Sequence, residues 1–250
     1  MNIRRGTSEN YVTINPYSLS SEERDRFIQD LYNLHCRIFD GVSKETFTED
    51  ILRPRAVRTR IRIFRNDQGD YIGYHGIHLY ENKIPDGSLV AVFRAEAGLL
   101  PEFRGKHSTL CLSYYEFVRY KLLHPFRKTY YLGMLVHPSS YHLLAMYCPE
   151  LYPSINQTTT KEITELMRLL ADFFRETKVI QENPLILDVG WMVRETEEDK
   201  SYWLNSQKED VRFFLRINPN YHDGHGLLTL APLTAKNLIL SYLLHKKWIK

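Results

Sequence analysis

The sequence predicts a mixed α/β fold of the α+β type, with a mainly antiparallel sheet flanked by helices and a C-terminal elaboration. Alternating or continuous apolar runs, typical of strands, are bounded by turn residues in the first half of the chain. Segments with apolar residues at helical spacing stand before, between and after these runs. With 43% hydrophobic and 25% charged residues among 250, the chain can bury a substantial core.

Two helices are predicted near the start, after a short edge strand around residues 11–14. Ser20 and Glu23 have the spacing of a capping box, and apolar residues recur at helical spacing after them, so a helix is predicted from about Ser21 to Phe39. A second, short helix is predicted over residues 44–52 and ends before Pro54.

Three consecutive antiparallel strands are predicted next. Residues 59–64 alternate between polar and apolar, residues 66–69 have the composition of a turn, and residues 71–80 continue as a strand. A second turn at residues 85–87 leads into an apolar run at residues 89–97, which suits a buried central strand.

The segment after this central strand predicts a strand, a basic turn and a helix. Arg104 and Lys106 place positive charge in the turn, and the helix extends to Pro125 because no Gly or Pro interrupts it earlier. The first N–H groups of a helix have no intrahelical partner, so such a turn can bind an anion. This segment therefore predicts a site for a phosphate-bearing ligand.

The rest of the chain is predicted to complete one domain, residues 1–250, with a core at about 20–150 and additions after it. The predicted elements are a strand at 129–136, a helix at 137–147, an inserted amphipathic helix at about 160–177, strands at 185–193, 211–217 and 227–230, and a final helix capped by Thr234. Residues 195–200 read as a charged surface segment, and the C-terminal strands and helix occupy 185–250.

Two motifs resemble those of the GNAT superfamily of N-acyltransferases. The run from Pro101 to Lys106 is similar to the family's acyl-CoA pyrophosphate loop, Arg/Gln-x-x-Gly-x-Gly/Ala, with Arg104 at its first position and His107 and Thr109 at its small positions. The segment from His137 to Tyr147 is similar to the family's Asn-x-x-Ala-x-x-Leu-Tyr helix. A start at His137 places Leu144 at the family's Tyr, and a start at Ser140 places Tyr147 there.

The resemblance implies transfer of an acyl group from a thioester to a small-molecule or protein amine by direct attack. The donor would be acyl-CoA or, because the side chain of His107 fills space that a glycine leaves open, acyl-pantetheine on an acyl carrier protein. The implied donor-binding residues are Leu99, Leu100, Arg104, Gly105, Lys106, His107, Ser108 and Thr109. The alternative is a catalytically inactive, GNAT-shaped binding or interaction protein.

Such a transfer needs a base for the amine and an acid for the leaving thiolate. Glu96 is the candidate base, and a salt bridge to an arginine such as Arg94 is its alternative role; its facing stays open because Gly98 is a plausible bulge. His75 and His78 are alternative bases in the neighbouring strand. The candidate acids are Tyr141 and Tyr147.

Composition does not favour several other classes. The net charge of +3 with scattered basic residues does not indicate a nucleic-acid partner, and no apolar run is long enough for a signal peptide or a membrane span, so a cytoplasmic location is expected. Three widely spaced cysteines argue against a disulfide framework, and Cys111 leaves open a third reading, a cysteine-dependent enzyme. No metal is expected, since His222, Asp223 and His225 form only a weak ligand set.

Overall fold

The computed structural model describes residues 11–104, 110–174, 180 and 183–248. The strands are β1 (Tyr11–Ile14), β2 (Phe39–Asp40), β3 (Arg58–Arg65), β4 (Tyr71–Lys83), β5 (Leu89–Leu99), β6 (Lys128–Leu135), β7 (Ile186–Asp188), β8 (Met192–Val193) and β9 (His225–Pro232). The helices are α1 (Ser21–His35), α2 (Lys44–Leu52), α3 (Leu110–Leu123), α4 (Pro138–Tyr147), α5 (Lys161–Asp172), α6 (Glu197–Leu204), α7 (Glu209–Ile217) and α8 (Ala235–Trp248).

Seven strands form one sheet in the order β1-β3-β4-β5-β6-β9-β7, and β2 and β8 form a separate pair. The pairing of β5 with β6 is parallel, and the other pairs are antiparallel. From α1 to α4 the order is two helices separated by the short strand β2, then three strands, a helix, a strand and a helix. The predicted fold class is confirmed.

The N-terminal predictions agree with the structure except at one helix end. The Ser20 hydroxyl caps α1 and the Glu23 carboxylate accepts a hydrogen bond from the Ser20 N–H, which confirms the capping box. The helix ends at His35 and not at Phe39. Phe39 instead pairs with Val193 in β2 and β8, so a tertiary strand pair replaces the last predicted turn of helix.

Predictions for residues 185–217 need correction. Residues 211–217 lie in helix α7, because Val211 and Phe214 are spaced to face the core on one side of a helix that packs against α4. The predicted strand at residues 185–193 is two strands, since Gly190 has φ +76° and separates β7 from β8. The charged segment after Glu195 includes helix α6.

Two apolar clusters flank the middle of the sheet. One contains buried residues of β5, β6 and β9 with the inner faces of α3, α5 and α7, and the other contains those of α1, α2 and β3. Helix α5 buries Met167, Leu170 and Ala171 near β6 and β9, so the inserted helix is part of the core. Within the described parts of the chain, no helix combines the length and the apolar character needed to cross a membrane.

Candidate functional site

Strands β5 and β6 separate from each other halfway along their length. Their ladder has only four pairs, from Val90 and Lys128 to Phe93 and Tyr131, although both strands are described in full. Each strand continues on its other edge, because β4 pairs with β5 as far as Leu99 and β9 pairs with β6 as far as Leu135. Within the described chain, residues 94–99 of β5 and 132–135 of β6 are therefore not paired with each other, and we call the space between them the gap.

Arg94 stands at the point where the strands separate. Its side chain is buried, its Nη2 lies 3.8 Å from Sδ of Met134 in β6, and its guanidinium carbon lies 4.7 Å from the centre of the Phe174 ring. A buried arginine on an aromatic face gains a cation–π interaction when water is excluded. The narrow end of the gap is thus lined by a positive charge.

The open end of the gap is framed by contacts of Arg104. Its Nε lies 3.4 Å from the carbonyl oxygen of Leu99, and its Nη2 donates to the carbonyl oxygen of Arg194 at 2.9 Å. Its Nη1 forms an ion pair with Asp199 at 3.3 Å. Burial lowers the pKa of Arg104, and the nearby carboxylates of Asp199 and Glu195 oppose that shift. Arg104 therefore joins the end of β5 to the segment between β8 and α6.

Only part of the predicted donor-binding segment belongs to the described chain. Leu99 pairs with Gly73 in β4, and Leu100 is buried with its N–H donating to the carbonyl oxygen of Ile72. The other five predicted donor-binding residues lie outside the described part of the chain: Gly105, Lys106, His107, Ser108 and Thr109. Leu99, Leu100 and Arg104 thus lie together where β5 ends.

The structure brings Glu96 and His78 together. Glu96 Oε2 lies 2.8 Å from His78 Nε2, and Glu96 Oε1 accepts from Arg53 Nη2 at 2.8 Å. Burial alone would raise the pKa of Glu96, but the charges of His78 and Arg53 hold it well below its usual value. The ladder of β4 and β5 keeps its register through Gly98, so Glu96 follows regular alternation.

The other sequence candidates lie apart from this pair. Tyr141 is fully buried and donates its hydroxyl to the carbonyl oxygen of Pro153 at 3.0 Å, and burial raises its pKa. Tyr147 is half-buried at the C-terminal end of α4, and its ring centroid lies 5.2 Å from that of His245. His75 is buried, with Nε2 2.9 Å from the hydroxyl of Ser113.

A chain of polar side chains that sequence reasoning missed lies where β6 ends. His137 follows β6 and caps α4, its Nε2 lies 2.7 Å from Oε1 of Glu195, and its Nδ1 lies 2.6 Å from the Ser139 hydroxyl. The Tyr221 hydroxyl donates to Oε2 of Glu195 at 3.3 Å. His137 and Glu195 are 58 residues apart, so only the fold shows that they are partners.

Burial and hydrogen bonding set the charge of Glu195. Burial would raise the pKa of this carboxyl group, but the hydrogen bond and charge of His137, the hydroxyl of Tyr221 and the charge of Arg104 lower it. The rings of Trp203 and Tyr221 meet the His137 ring edge to face, with centroids 5.8 and 5.7 Å away. Glu195 is therefore ionised at neutral pH and His137 is held in one orientation.

Comparison with known protein families finds no family model that matches this sequence. Comparison with curated proteins likewise finds no match.

Solved structures of similar fold include acetyltransferases. A glucosamine-6-phosphate N-acetyltransferase from Arabidopsis thaliana is 17% identical, with a TM-score of 0.33 over 61% of this chain and 99% of its own. An aminoglycoside N-acetyltransferase in complex with CoA is 16% identical, with a TM-score of 0.36 over 58% of this chain and 88% of its own.

A GNAT-like decarboxylase in complex with isobutyryl-CoA is 12% identical, with a TM-score of 0.36 over 90% of this chain and 99% of its own. The chain is similar in fold to these proteins.

Proposed function

We propose that the protein is an N-acyltransferase that moves an acyl group from a thioester donor to an amine by direct attack. The separation of β5 from β6 carries this proposal, because it leaves a slot in the middle of the sheet next to the end of β5. A slot between two strands holds a narrow, extended ligand and exposes its end to an acceptor.

The backbone of β5 suits the pantetheine arm of such a donor. Along residues 95–99, β5 does not pair with β6 within the described part of the chain, although β4 pairs with its opposite edge. A strand edge of this kind binds extended ligands through main-chain hydrogen bonds. The two amides of pantetheine can pair with such an edge as a short strand does.

The phosphate-bearing end of the donor would lie beside Arg104, and residues 105–109, the rest of the predicted donor-binding segment, lie outside the described residues. Arg104 lies at the open end of the gap, where its guanidinium already spans the ends of β5 and β8. Arginine binds phosphate through paired hydrogen bonds. For acyl-CoA this contact involves the diphosphate, and for an acyl carrier protein it involves the phosphate of the phosphopantetheine arm.

The proton-handling roles proposed from sequence are refined by the geometry. Glu96 and His78 form one hydrogen-bonded unit on β4 and β5, and we propose that the unit accepts the amine proton through His78, because the pKa of Glu96 is held well below its usual value. Tyr147 is the better candidate for protonating the thiolate, because the Tyr141 hydroxyl already donates to Pro153 and burial raises its pKa. The acceptor is an amine of a small molecule or a protein.

Calorimetric titration of the whole chain with acetyl-CoA, a long-chain acyl-CoA and an acylated carrier protein tests the donor. We expect one of these donors to bind, and binding by none of them would contradict the proposal that the protein is an N-acyltransferase. Turnover is then assayed with amine acceptors. Binding without turnover on any amine would favour the binding or interaction protein.

A pair of variants tests the role of Arg104. Arg104→Ala removes the guanidinium, and Asp199→Ala removes its ion-pair partner at 3.3 Å but leaves the arginine in place. We expect Arg104→Ala to weaken donor binding by about tenfold to a hundredfold, as for loss of a charge-assisted contact. Asp199→Ala should bind the donor at least as well as the wild type does. Equal losses in both variants would show that Arg104 acts only by supporting the fold.

A further inference from the structure

A hydroxyl, an imidazole and a carboxylate stand in a row at the start of helix α4. Ser139 Oγ lies 2.6 Å from His137 Nδ1, and His137 Nε2 lies 2.7 Å from Glu195 Oε1. The side chains of His137 and Glu195 are only 5% and 8% exposed, whereas Ser139 is half-buried. The row thus runs from a buried carboxylate to the hydroxyl of a half-buried residue.

The hydrogen bonds determine which nitrogen of His137 carries the proton. The backbone N–H of Ser139 points to Nδ1 at 3.2 Å, and a backbone N–H only donates, so Nδ1 is an acceptor. Nε2 therefore carries the hydrogen and donates it to Glu195. The Ser139 hydroxyl at 2.6 Å donates to Nδ1, which is ready to take its proton.

The row lies at the open end of the gap between β5 and β6. His137 is the second residue after β6. Glu195 is next in sequence to Arg194, whose carbonyl oxygen accepts from Arg104 at 2.9 Å, and Arg104 also lies against the last carbonyl of β5. Arg104 and Glu195 are therefore neighbours at this end of the gap, and Ser139 is joined to Glu195 through His137.

We propose that Ser139 is a nucleophile that takes an acyl group from a thioester, with His137 as its base and Glu195 as the residue that positions His137. An activated hydroxyl needs a base within hydrogen-bond distance and a third group that orients the base, and these three side chains supply both. The reaction is hydrolysis of an acyl thioester through an acyl-serine ester. This activity goes beyond amine acylation and shares with it only the thioester donor.

The steps balance without any further reagent. The Ser139 oxygen bonds to the thioester carbonyl carbon as its proton moves to His137 Nδ1. The carbon–sulfur bond then breaks, and the thiolate takes that proton and leaves as a thiol. Water next attacks the acyl-serine ester and gives one proton to His137. The ester bond breaks, the proton returns to Ser139, and a carboxylic acid is released.

A second hydroxyl and imidazole pair in the molecule lacks the access that this chemistry requires. Ser113 Oγ lies 2.9 Å from His75 Nε2, but Ser113 is only 5% exposed. Ser140, by contrast, is exposed in the first turn of α4 next to Ser139. Ser140 therefore provides a matched control for substitution at Ser139.

The test uses two probes on the full chain, a fluorophosphonate that labels activated serines and acetyl-CoA or a long-chain acyl-CoA with thiol release measured. We expect the fluorophosphonate to modify Ser139, as mapped by peptide mass spectrometry, and thiol to be released without an amine. Ser139→Ala should lose both signals and Ser140→Ala should keep both.

Two further variants separate catalysis from support of the fold. His137→Asn keeps a helix-capping side chain but removes the base, and Glu195→Gln keeps the size of the side chain but removes its charge. We expect both to fold and to slow the labelling of Ser139 on the order of a hundredfold or more. Glu195→Asp should recover part of the lost rate, because it restores the charge.

The outcomes distinguish this proposal from that of amine acylation. Labelling of Ser139 in a protein that binds none of the thioester donors supports the nucleophile and contradicts only the proposed N-acyltransferase. Donor binding without any labelling or acylation of Ser139 overturns the nucleophile and leaves the N-acyltransferase. Equal labelling of the wild type and His137→Asn also overturns the proposal, since the base would then have no effect.

Discussion

Arg53 and Glu96 form a buried ion pair, with Nη2 2.8 Å from Oε1 across 43 residues of sequence. Arg53 is the C-cap residue of helix α2 and Glu96 lies on β5, so the pair connects the helix to the centre of the sheet. His78 contacts the other carboxylate oxygen at 2.8 Å. Removal of Arg53 takes away one of the partners of the Glu96 carboxylate, whose side chain is only 9% exposed.

Arg53→Ala should therefore destabilise the protein strongly. Loss of one partner of a buried ion pair costs about 3 to 5 kcal/mol, because the remaining charge stays buried. Urea unfolding should show this loss in the midpoint with the slope unchanged. The exposed neighbour Arg55 is the control, and Arg55→Ala should change the free energy of unfolding by less than about 0.5 kcal/mol. Similar losses in both variants would contradict the role of the pair.

The buried His35 makes stability depend on pH. Burial lowers the pKa of His35 from 6.5 to about 4, while its Nδ1 lies 2.9 Å from the Tyr74 hydroxyl. The unfolded chain then binds a proton more readily than the folded one, so stability is lost as pH falls from about 6.5 towards 4. The size of this loss is about 3 kcal/mol.

His35→Gln tests this dependence, because glutamine keeps an acceptor for the Tyr74 hydroxyl and does not titrate. The measurement is the free energy of unfolding at a series of pH values between 7.5 and 4. We expect the variant to lose about 3 kcal/mol less than the wild type over that range. Parallel curves for the two proteins would show that His35 does not set the pH dependence.

Gly98 allows the end of β5 to lie close to the segment after α1. A Cβ atom at this position would lie 2.7 Å from Cε2 of Phe39 and 3.0 Å from Cγ2 of Ile38. Gly98→Ala should thus cost about 1 to 3 kcal/mol through overpacking, seen as a lower thermal midpoint. Ala97→Ser, at an exposed site in the same strand, should have little effect and would show whether the loss is specific to the packed face.

Cys148 should react slowly with alkylating agents. Burial raises the pKa of its thiol from 9 to about 11, with small opposing effects of Asn237 and the backbone of Glu150. A pKa two units higher lowers the fraction of Cys148 that is present as thiolate about a hundredfold. Iodoacetamide should therefore modify Cys148 about a hundred times more slowly in the folded than in the unfolded chain. The exposed Cys111 is the internal reference in the same peptide map. Comparable rates at the two cysteines would contradict the effect of burial.

Local signals in the sequence predicted most of the elements. The capping box at Ser20 gave the start of α1, and the turn at residues 66–69 gave the hairpin of β3 and β4. These features depend on residues within a few positions of each other. The ends of the elements were harder to predict from local signals. Helix α1 ends before β2, and β2 pairs with a strand more than 150 residues later in the sequence.

The candidate site was less predictable because its contacts also join residues that are far apart in sequence. Glu96 was visible as a carboxyl group in an apolar strand, but its partner Arg53 lies on another element and not in β5. Glu195 lies in a charged stretch whose composition predicted a surface segment. In the structure its side chain is buried and contacts Tyr221 and His137. Helix α7 was predicted as a strand, since a short apolar run does not show its period clearly.

The position of β9 in the sheet affects how the chain is made. β6 forms one of its two ladders with β9, whose last residue is Pro232, so that edge stays unpaired until residue 232 has been made. At roughly 5 to 20 residues per second, a ribosome leaves this apolar edge uncovered on the order of ten seconds. An unpaired apolar strand edge invites pairing with other chains. Nascent chains of this protein should therefore depend on chaperones most strongly during that interval.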